Sequence, residues 1–309
     1  MGQRRLNMTI ESKNVAVIGL GSMGYGMAAS ALRGGHKVWG GDINPDQVAR
    51  FQAEGGQGSA LTEAAEELDA VAVVVLNAAQ TESVLFGEDG IVARLKPGSV
   101  VLACATVPPA FARDMAARCS ASGVHYLDAP ISGGAAKAAS GQLSIMASGT
   151  PDAFAAARPL LDSIAQTVFE LGDEAGAGSA MKAVNQLLAG VHIAAMAEGL
   201  TFGMTQGVTP EKFVEVISKC AGTSWMLENR APHIVAGDYR PLSSVNIWPK
   251  DLGIVLDIAK SAQFSAPITA AAMQQFLAAA GMGLGSEDDA AVAKVYARNA
   301  GLTLPGDDT

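Results

Sequence analysis

The sequence predicts an α/β chain: a mostly parallel sheet with helices on both faces, then an all-α domain joined to it through a long helix. Three observations predict this. The first half alternates short β-branched runs with helical segments, the pattern of parallel strands linked by crossovers. After about Gly176 no strand-like run of any length follows. From Ser179 to Gln206 the chain reads as one helix of roughly 28 residues, about 42 Å at a rise of about 1.5 Å per residue.

Taken in order, Val15-Ala16-Val17-Ile18 is a buried strand by composition, and Met23–Arg33 is a helix that stops at Gly34-Gly35. Lys37–Gly41, Val71–Leu76, Ser99–Cys104 and Val124–Leu127 are further strands, punctuated by Pro97-Gly98 and Ser122-Gly123. Leu143–Ala147 and Val168–Leu171 are weaker strand candidates that flank an alanine-rich helix over Ala153–Ile164. In the second half, Pro210–Cys220, Ser224–His233, Lys250–Ala262, Ile268–Gly281 and Glu287–Asn299 read as helices. The expected organisation is a disordered tail over 1–13, an α/β domain over 14–177 and an all-α domain over 178–309.

With 49% hydrophobic and 17% charged residues, the 309-residue chain is globular and long enough for two domains. Its net charge of −9 argues against nucleic acid and against an anionic membrane face as partners. Three cysteines without CxxC spacing fit free thiols in a reducing cytoplasm, and four scattered histidines show no metal-ligand spacing. The first residues lack an apolar core for a signal peptide, and Ala70–Leu76 and Leu187–Ala197 are too short to span a bilayer. The expectation is a cytoplasmic protein without a metal.

Gly19-Leu20-Gly21-Ser22-Met23-Gly24 follows the first strand and opens the first helix. GxGxxG in that context allows a tight turn, close approach of backbone to a pyrophosphate, and helix–strand packing. The helix start then offers unpaired N–H groups to the phosphates. Asp42 follows 18 residues after Gly24, where a carboxylate bonds adenosine ribose hydroxyls and repels a 2′-phosphate. No arginine stands beside it, so NAD is favoured over NADP. The first domain is thus of the Rossmann type.

Ser132-Gly133-Gly134 is either an ordinary glycine loop or a nest of backbone N–H groups that holds a carboxylate. Lys182 and Asn185 stand at i and i+3 and share a helix face. Alone, Lys182 reads as a surface lysine; beside a bound carboxylate its ammonium could shuttle a proton. Lys250-Asp251-Leu252 opens a later helix, with Asp251 as its cap.

These four stretches, in this order, resemble the β-hydroxyacid dehydrogenase family (3-hydroxyisobutyrate dehydrogenase-like proteins), from about Val15 to Tyr296. The resemblance implies a Rossmann-type domain joined by a long helix to an all-α domain, with the site in the cleft. It implies Lys182 as catalytic acid/base, with Ser132, Gly133 and Gly134 on the substrate carboxylate, Asn185 assisting and Gln186 nearby as a further substrate contact. It also implies a cofactor site of Gly19, Leu20, Gly21, Ser22, Met23, Gly24, Asp42, Leu76, Asn77, Thr106 and Lys250. Three positions depart from the common family pattern: Gln186 replaces a second asparagine, Leu76-Asn77 a Leu-Pro, and Ala103-Cys104-Ala105-Thr106 an Asp-x-Ser-Thr.

Asn77-Ala78-Ala79-Gln80, the run from Gln186 to Ala194, and Ser224-Trp225-Met226-Leu227-Glu228-Asn229-Arg230 are similar to the L-threonate dehydrogenase branch. That branch implies NAD-dependent oxidation of the C2 hydroxyl of a small hydroxy acid to the 2-keto acid. The alternatives are 3-hydroxyisobutyrate or tartronate semialdehyde (2-hydroxy-3-oxopropionate) as substrate, or a non-catalytic NAD-binding regulatory protein. A long helix apolar all round must be buried somewhere, so a homo-oligomer, dimer or tetramer, is expected.

Overall fold

The computed structural model describes residues 11–307 except Ser59. Most of the expected tail therefore lies outside the described residues; within it, Ser12 Oγ donates to the Gly35 carbonyl and the Lys13 amide to His36 Nδ1. The chain divides into two compact units between Lys182 and Ala183.

In the first unit, five strands form one sheet: β1 (Asn14–Ile18), β2 (Lys37–Gly41), β3 (Ala70–Val73), β4 (Val100–Ala103) and β5 (His125–Asp128), in the order β2-β1-β3-β4-β5. All four pairings are parallel, so each successive strand returns through a crossover. Those crossovers carry α1 (Gly24–Arg33), α2 (Pro45–Ala53), α3 (Leu61–Ala64), α4 (Ala78–Phe86) and α5 (Pro109–Ala121). Two starts show why the helices begin where they do. Asn44 accepts from the Asp46 amide with Pro45 following, and Asn77 Oδ1 accepts from the Gln80 amide at 2.9 Å. The strands β1, β3 and β4 are buried on both faces, one against Met27, Leu127, Leu160 and Leu161, the other against Leu68, Leu85 and Met115.

A second, smaller sheet was not foreseen. After β6 (Ile131–Ser132) and α6 (Gly134–Ser140), β7 (Leu143–Ala147), α7 (Pro151–Ile164) and β8 (Ala165–Glu170) follow. The sheet has the order β6-β7-β8, with β6 antiparallel to β7 and β7 parallel to β8. The strand expected at Val168–Leu171 starts earlier, at Ala165, and the one expected at Val71–Leu76 stops at Val73.

Helix α8 (Ala177–Thr205) runs unbroken for 29 residues. By length and composition it is apolar enough to cross a membrane, its most apolar 18 residues having a mean hydropathy of 1.4, contrary to the expectation from the shorter run Leu187–Ala197. In the second unit its residues Ile193, Met196, Ala197 and Leu200 join the buried core.

The second unit continues with α9 (Pro210–Ile217), α10 (Trp225–Ala236), α11 (Ile247–Ser261), α12 (Pro267–Ala279) and α13 (Ala293–Asn299). Its core holds Trp248 stacked on Phe276, with ring centroids 5.5 Å apart. The fully buried Asp289 accepts from Trp248 Nε1 at 3.0 Å and pairs with Arg230 at 2.5 Å. Helix α11 begins at Ile247, one turn before the expected start at Lys250.

Candidate active site

In the first unit the glycine-rich turn lies between β1 and α1. Gly19 has φ +96°, and a side chain there would meet the Val74 carbonyl at 2.2 Å. A Cβ on Gly24 would stand 1.7 Å from the Gly19 carbonyl, so the helix can pack this close only without one. A Cβ on Gly21 would meet nothing within 4 Å. The turn is closed toward the protein and open outward at Gly21, with Ser22 exposed and Met23 half-buried. This is a cradle into which a pyrophosphate fits.

Asp42 follows β2 at the same edge. Its Oδ2 accepts from the Leu20 amide at 2.6 Å and its Oδ1 from the Asn44 amide at 2.8 Å. The carboxylate holds the glycine turn in place, and each oxygen keeps a further lone pair for a ribose hydroxyl. Leu76 is exposed, and its amide donates to Gln80 Oε1. Asn77 caps α4 through its side chain. Thr106 is half-buried in the loop after β4. Burial pushes the nearby Cys104 thiol up to about 12, so it is no thiolate nucleophile at neutral pH.

The start of α8 is tied to the end of β5 by Asp128, a residue missed in the sequence. Asp128 Oδ2 accepts from the Gly176 amide at 2.9 Å, the Ser179 amide at 2.8 Å and Ser148 Oγ at 3.3 Å. Its Oδ1 accepts from Ser179 Oγ at 2.7 Å. This carboxylate from a distant strand caps α8 as a side chain at the N-cap would, and its charge suits the positive helix end. Burial nevertheless holds the Asp128 carboxyl above its ordinary range, with the four donors pulling the other way.

One turn beyond Ser179, Lys182 is buried and its Nζ donates to the Ile131 carbonyl at 3.0 Å. Ile131 precedes Ser132-Gly133-Gly134, where Gly133 has φ +131° and Gly134 φ +77°. The Lys182 side chain and this turn are thus brought together within the first unit.

In the second unit, Gln186 is buried and both ends of its amide are engaged: Nε2 donates to Asp251 Oδ2 at 2.5 Å, and Oε1 accepts from Asn185 Nδ2 at 2.9 Å. Lys250 Nζ lies 2.6 Å from Asp251 Oδ1. Asp251 is not a cap. It sits in the second turn of α11, buried, because the helix starts at Ile247 and takes Pro249 into its first turn, where a missing N–H costs nothing.

Residues 14–172 match the NAD binding domain of 6-phosphogluconate dehydrogenase. Residues 176–296 match the NAD-binding domain of NADP-dependent 3-hydroxyisobutyrate dehydrogenase. An L-threonate dehydrogenase of Cupriavidus necator is 49% identical over 296 residues, 96% of this chain and 99% of that protein. One from Escherichia coli K12 is 44% identical over 295 residues, 95% and 97% of the two chains. The chain belongs to the 3-hydroxyisobutyrate dehydrogenase family. A crystal structure titled 3-hydroxyisobutyrate dehydrogenase, from Salmonella typhimurium, superposes with a TM-score of 0.87 at 45% identity, covering 92% of this chain and 100% of that one.

The dehydrogenase is NAD-dependent and acts on a hydroxy acid. Its cradle at Gly21 and the carboxylate at Asp42 are the residues that fit this cofactor. Sequence reasoning gave Asp128 no role and read Asp251 as a cap, because each does its work through burial. The signal for Asp128 was its place at the end of a strand immediately before Ala129-Pro130.

Proposed function

We propose that this dehydrogenase oxidises the C2 hydroxyl of L-threonate to the 2-keto acid, with Lys182 as acid/base. The observation that carries the reading is the hydrogen bond from Lys182 Nζ to the Ile131 carbonyl, which brings an ammonium beside Ser132-Gly133-Gly134. Support for the substrate comes from the two L-threonate dehydrogenases at 49% and 44% identity.

In this reading the substrate carboxylate docks on the backbone N–H groups at Ser132, Gly133 and Gly134. Lys182, as the neutral amine, takes the proton of the C2 hydroxyl and becomes the ammonium; in reverse, that ammonium stabilises and protonates the developing oxyanion. Bound NAD supplies the hydride acceptor. Asn185, one turn past Lys182 on α8, hydrogen-bonds the substrate, and Gln186 holds Asn185. Asp42 orients the adenosine ribose, while Leu76, Asn77, Thr106 and Lys250 border the cofactor. The protein works in the cytoplasm as a dimer or tetramer. A stripe of Met181, Val184, Leu188 and Phe202 along α8, between 44% and 66% exposed, supports self-association.

The 45% identity to a structure titled 3-hydroxyisobutyrate dehydrogenase favours a second reading with that substrate. NADH formation at 340 nm with L-threonate, D-threonate, erythronate, glycerate and 3-hydroxyisobutyrate separates the two. A higher kcat/KM for 3-hydroxyisobutyrate than for L-threonate would overturn the substrate, and turnover of none would overturn the reaction.

A further inference from the structure

The second unit contains a chain of polar side chains with a fixed direction. Lys250, Asp251, Gln186 and Asn185 are linked at 2.6, 2.5 and 2.9 Å. Asp251 and Gln186 are buried, and Asn185 is half-buried at the outer end. A carboxamide has a donor end and an acceptor end of nearly equal size, so its orientation is set only by its partners. A carboxylate offers acceptors alone. Asp251 therefore requires the NH2 end of Gln186, which turns the Gln186 carbonyl toward Asn185, which in turn requires the NH2 end of Asn185.

We propose that Asp251, acting through Gln186, fixes the Asn185 carboxamide so that Oδ1 faces outward as an acceptor for a substrate hydroxyl. The proposal rests on the reading of Asn185 as a substrate contact. Asp251 and Gln186 act in this proposal as positioning residues, because each end of the Gln186 amide already holds a side chain; the contact with the substrate hydroxyl is made by Asn185. The arrangement selects acids that carry a hydroxyl near the reacting carbon. An analogue with hydrogen or methyl there leaves the Asn185 oxygen desolvated and unpaired, the form of discrimination that hydrogen-bonding sites achieve best.

The test compares kcat/KM for L-threonate with that for 2-hydroxybutanoate, the same four-carbon acid without its two distal hydroxyls. Gln186→Met fills the same space and removes the relay; in Asp251→Asn the Lys250 cation takes the asparagine oxygen at the Oδ1 position, so the NH2 faces Gln186 and reverses the relay. Both variants should lower the L-threonate preference about tenfold, mainly through a higher KM for L-threonate, with Tm within a few degrees of wild type. An unchanged preference in either folded variant would overturn the proposal.

The relay also has a readout free of turnover. The side-chain amide signals of Asn185 in 15N-labelled protein, assigned through Asn185→Ala, should shift in both variants. If wild-type enzyme turns over neither acid, the functional reading fails and the amide signals decide the relay alone. Signals that stay in place would overturn it.

Discussion

Asp128→Ala should be among the most damaging single substitutions in the first unit, and Asp128→Asn among the mildest at a buried charge. The alanine removes the acceptor for two buried backbone amides, Gly176 and Ser179, and for the hydroxyls of Ser148 and Ser179. A buried donor left unpaired costs about 1–3 kcal/mol, so the two amides alone give about 2–6 kcal/mol. That is a large share of an ordinary domain's stability of about 5–15 kcal/mol. Asparagine with its oxygen at the Oδ2 position keeps both amides and Ser148, and its NH2 then faces Ser179 Oγ, which can accept. The expected cost is about 1 kcal/mol. Urea unfolding followed by far-UV circular dichroism measures both. Alanine within about 1 kcal/mol of wild type, or asparagine as harmful as alanine, would refute the capping argument.

The same residue sets a pH dependence. The folded carboxyl lies above its ordinary value of 3.8, so its contribution to stability is full below that value and is lost as pH rises through the folded value. Wild type should therefore lose stability relative to Asp128→Asn as pH is raised above about 4, and a gap that widens in favour of wild type would contradict the direction.

Lys182→Ala should lose about 10²–10⁴-fold in kcat while binding NAD normally, and near-native kcat would remove the lysine from the chemistry. Gly21→Ala should fold with an unchanged Tm, because its Cβ meets nothing within 4 Å, yet weaken NAD at least tenfold by filling the cradle; calorimetry checks both. Gly24→Ala should instead lower Tm, since its Cβ would stand 1.7 Å from the Gly19 carbonyl. Asp42→Ala should narrow the preference for NAD over NADP and also loosen the turn by freeing the Leu20 and Asn44 amides; unaltered selectivity in steady-state kinetics would dismiss the ribose role.

Much of this architecture was legible in the sequence because local signals and burial agree there. Val15–Ile18 before a GxGxxG turn can hardly be other than a central parallel strand, and it is one. The two-residue strand Ile131–Ser132 escaped notice because period-2 alternation needs at least four residues to register. Pro249 misplaced the start of α11: a proline marks a helix boundary, but it is also tolerated within the first turn, and that turn begins at Ile247. The pairing of Lys182 with the Ser132 turn was suggested only by the set of motifs, since 51 residues separate Lys182 from Ile131. The partners that Asp128 and Gln186 hold at Ser179 and Asp251 were illegible because they are remote in the chain.

The strand order also times the assembly of the first unit on the ribosome. β1 is made first yet lies in the sheet interior, and its second neighbour begins with Ala70 opposite Val15. At about 5–20 residues per second, the 32 residues from the end of β2 to the end of β3 take about 2–6 seconds to synthesise. For that interval the nascent Val15-Ala16-Val17-Ile18 edge has β2 on one side and nothing on the other. Such an edge is a template for another chain, so expression should lose soluble yield first when translation through residues 42–73 is slowed.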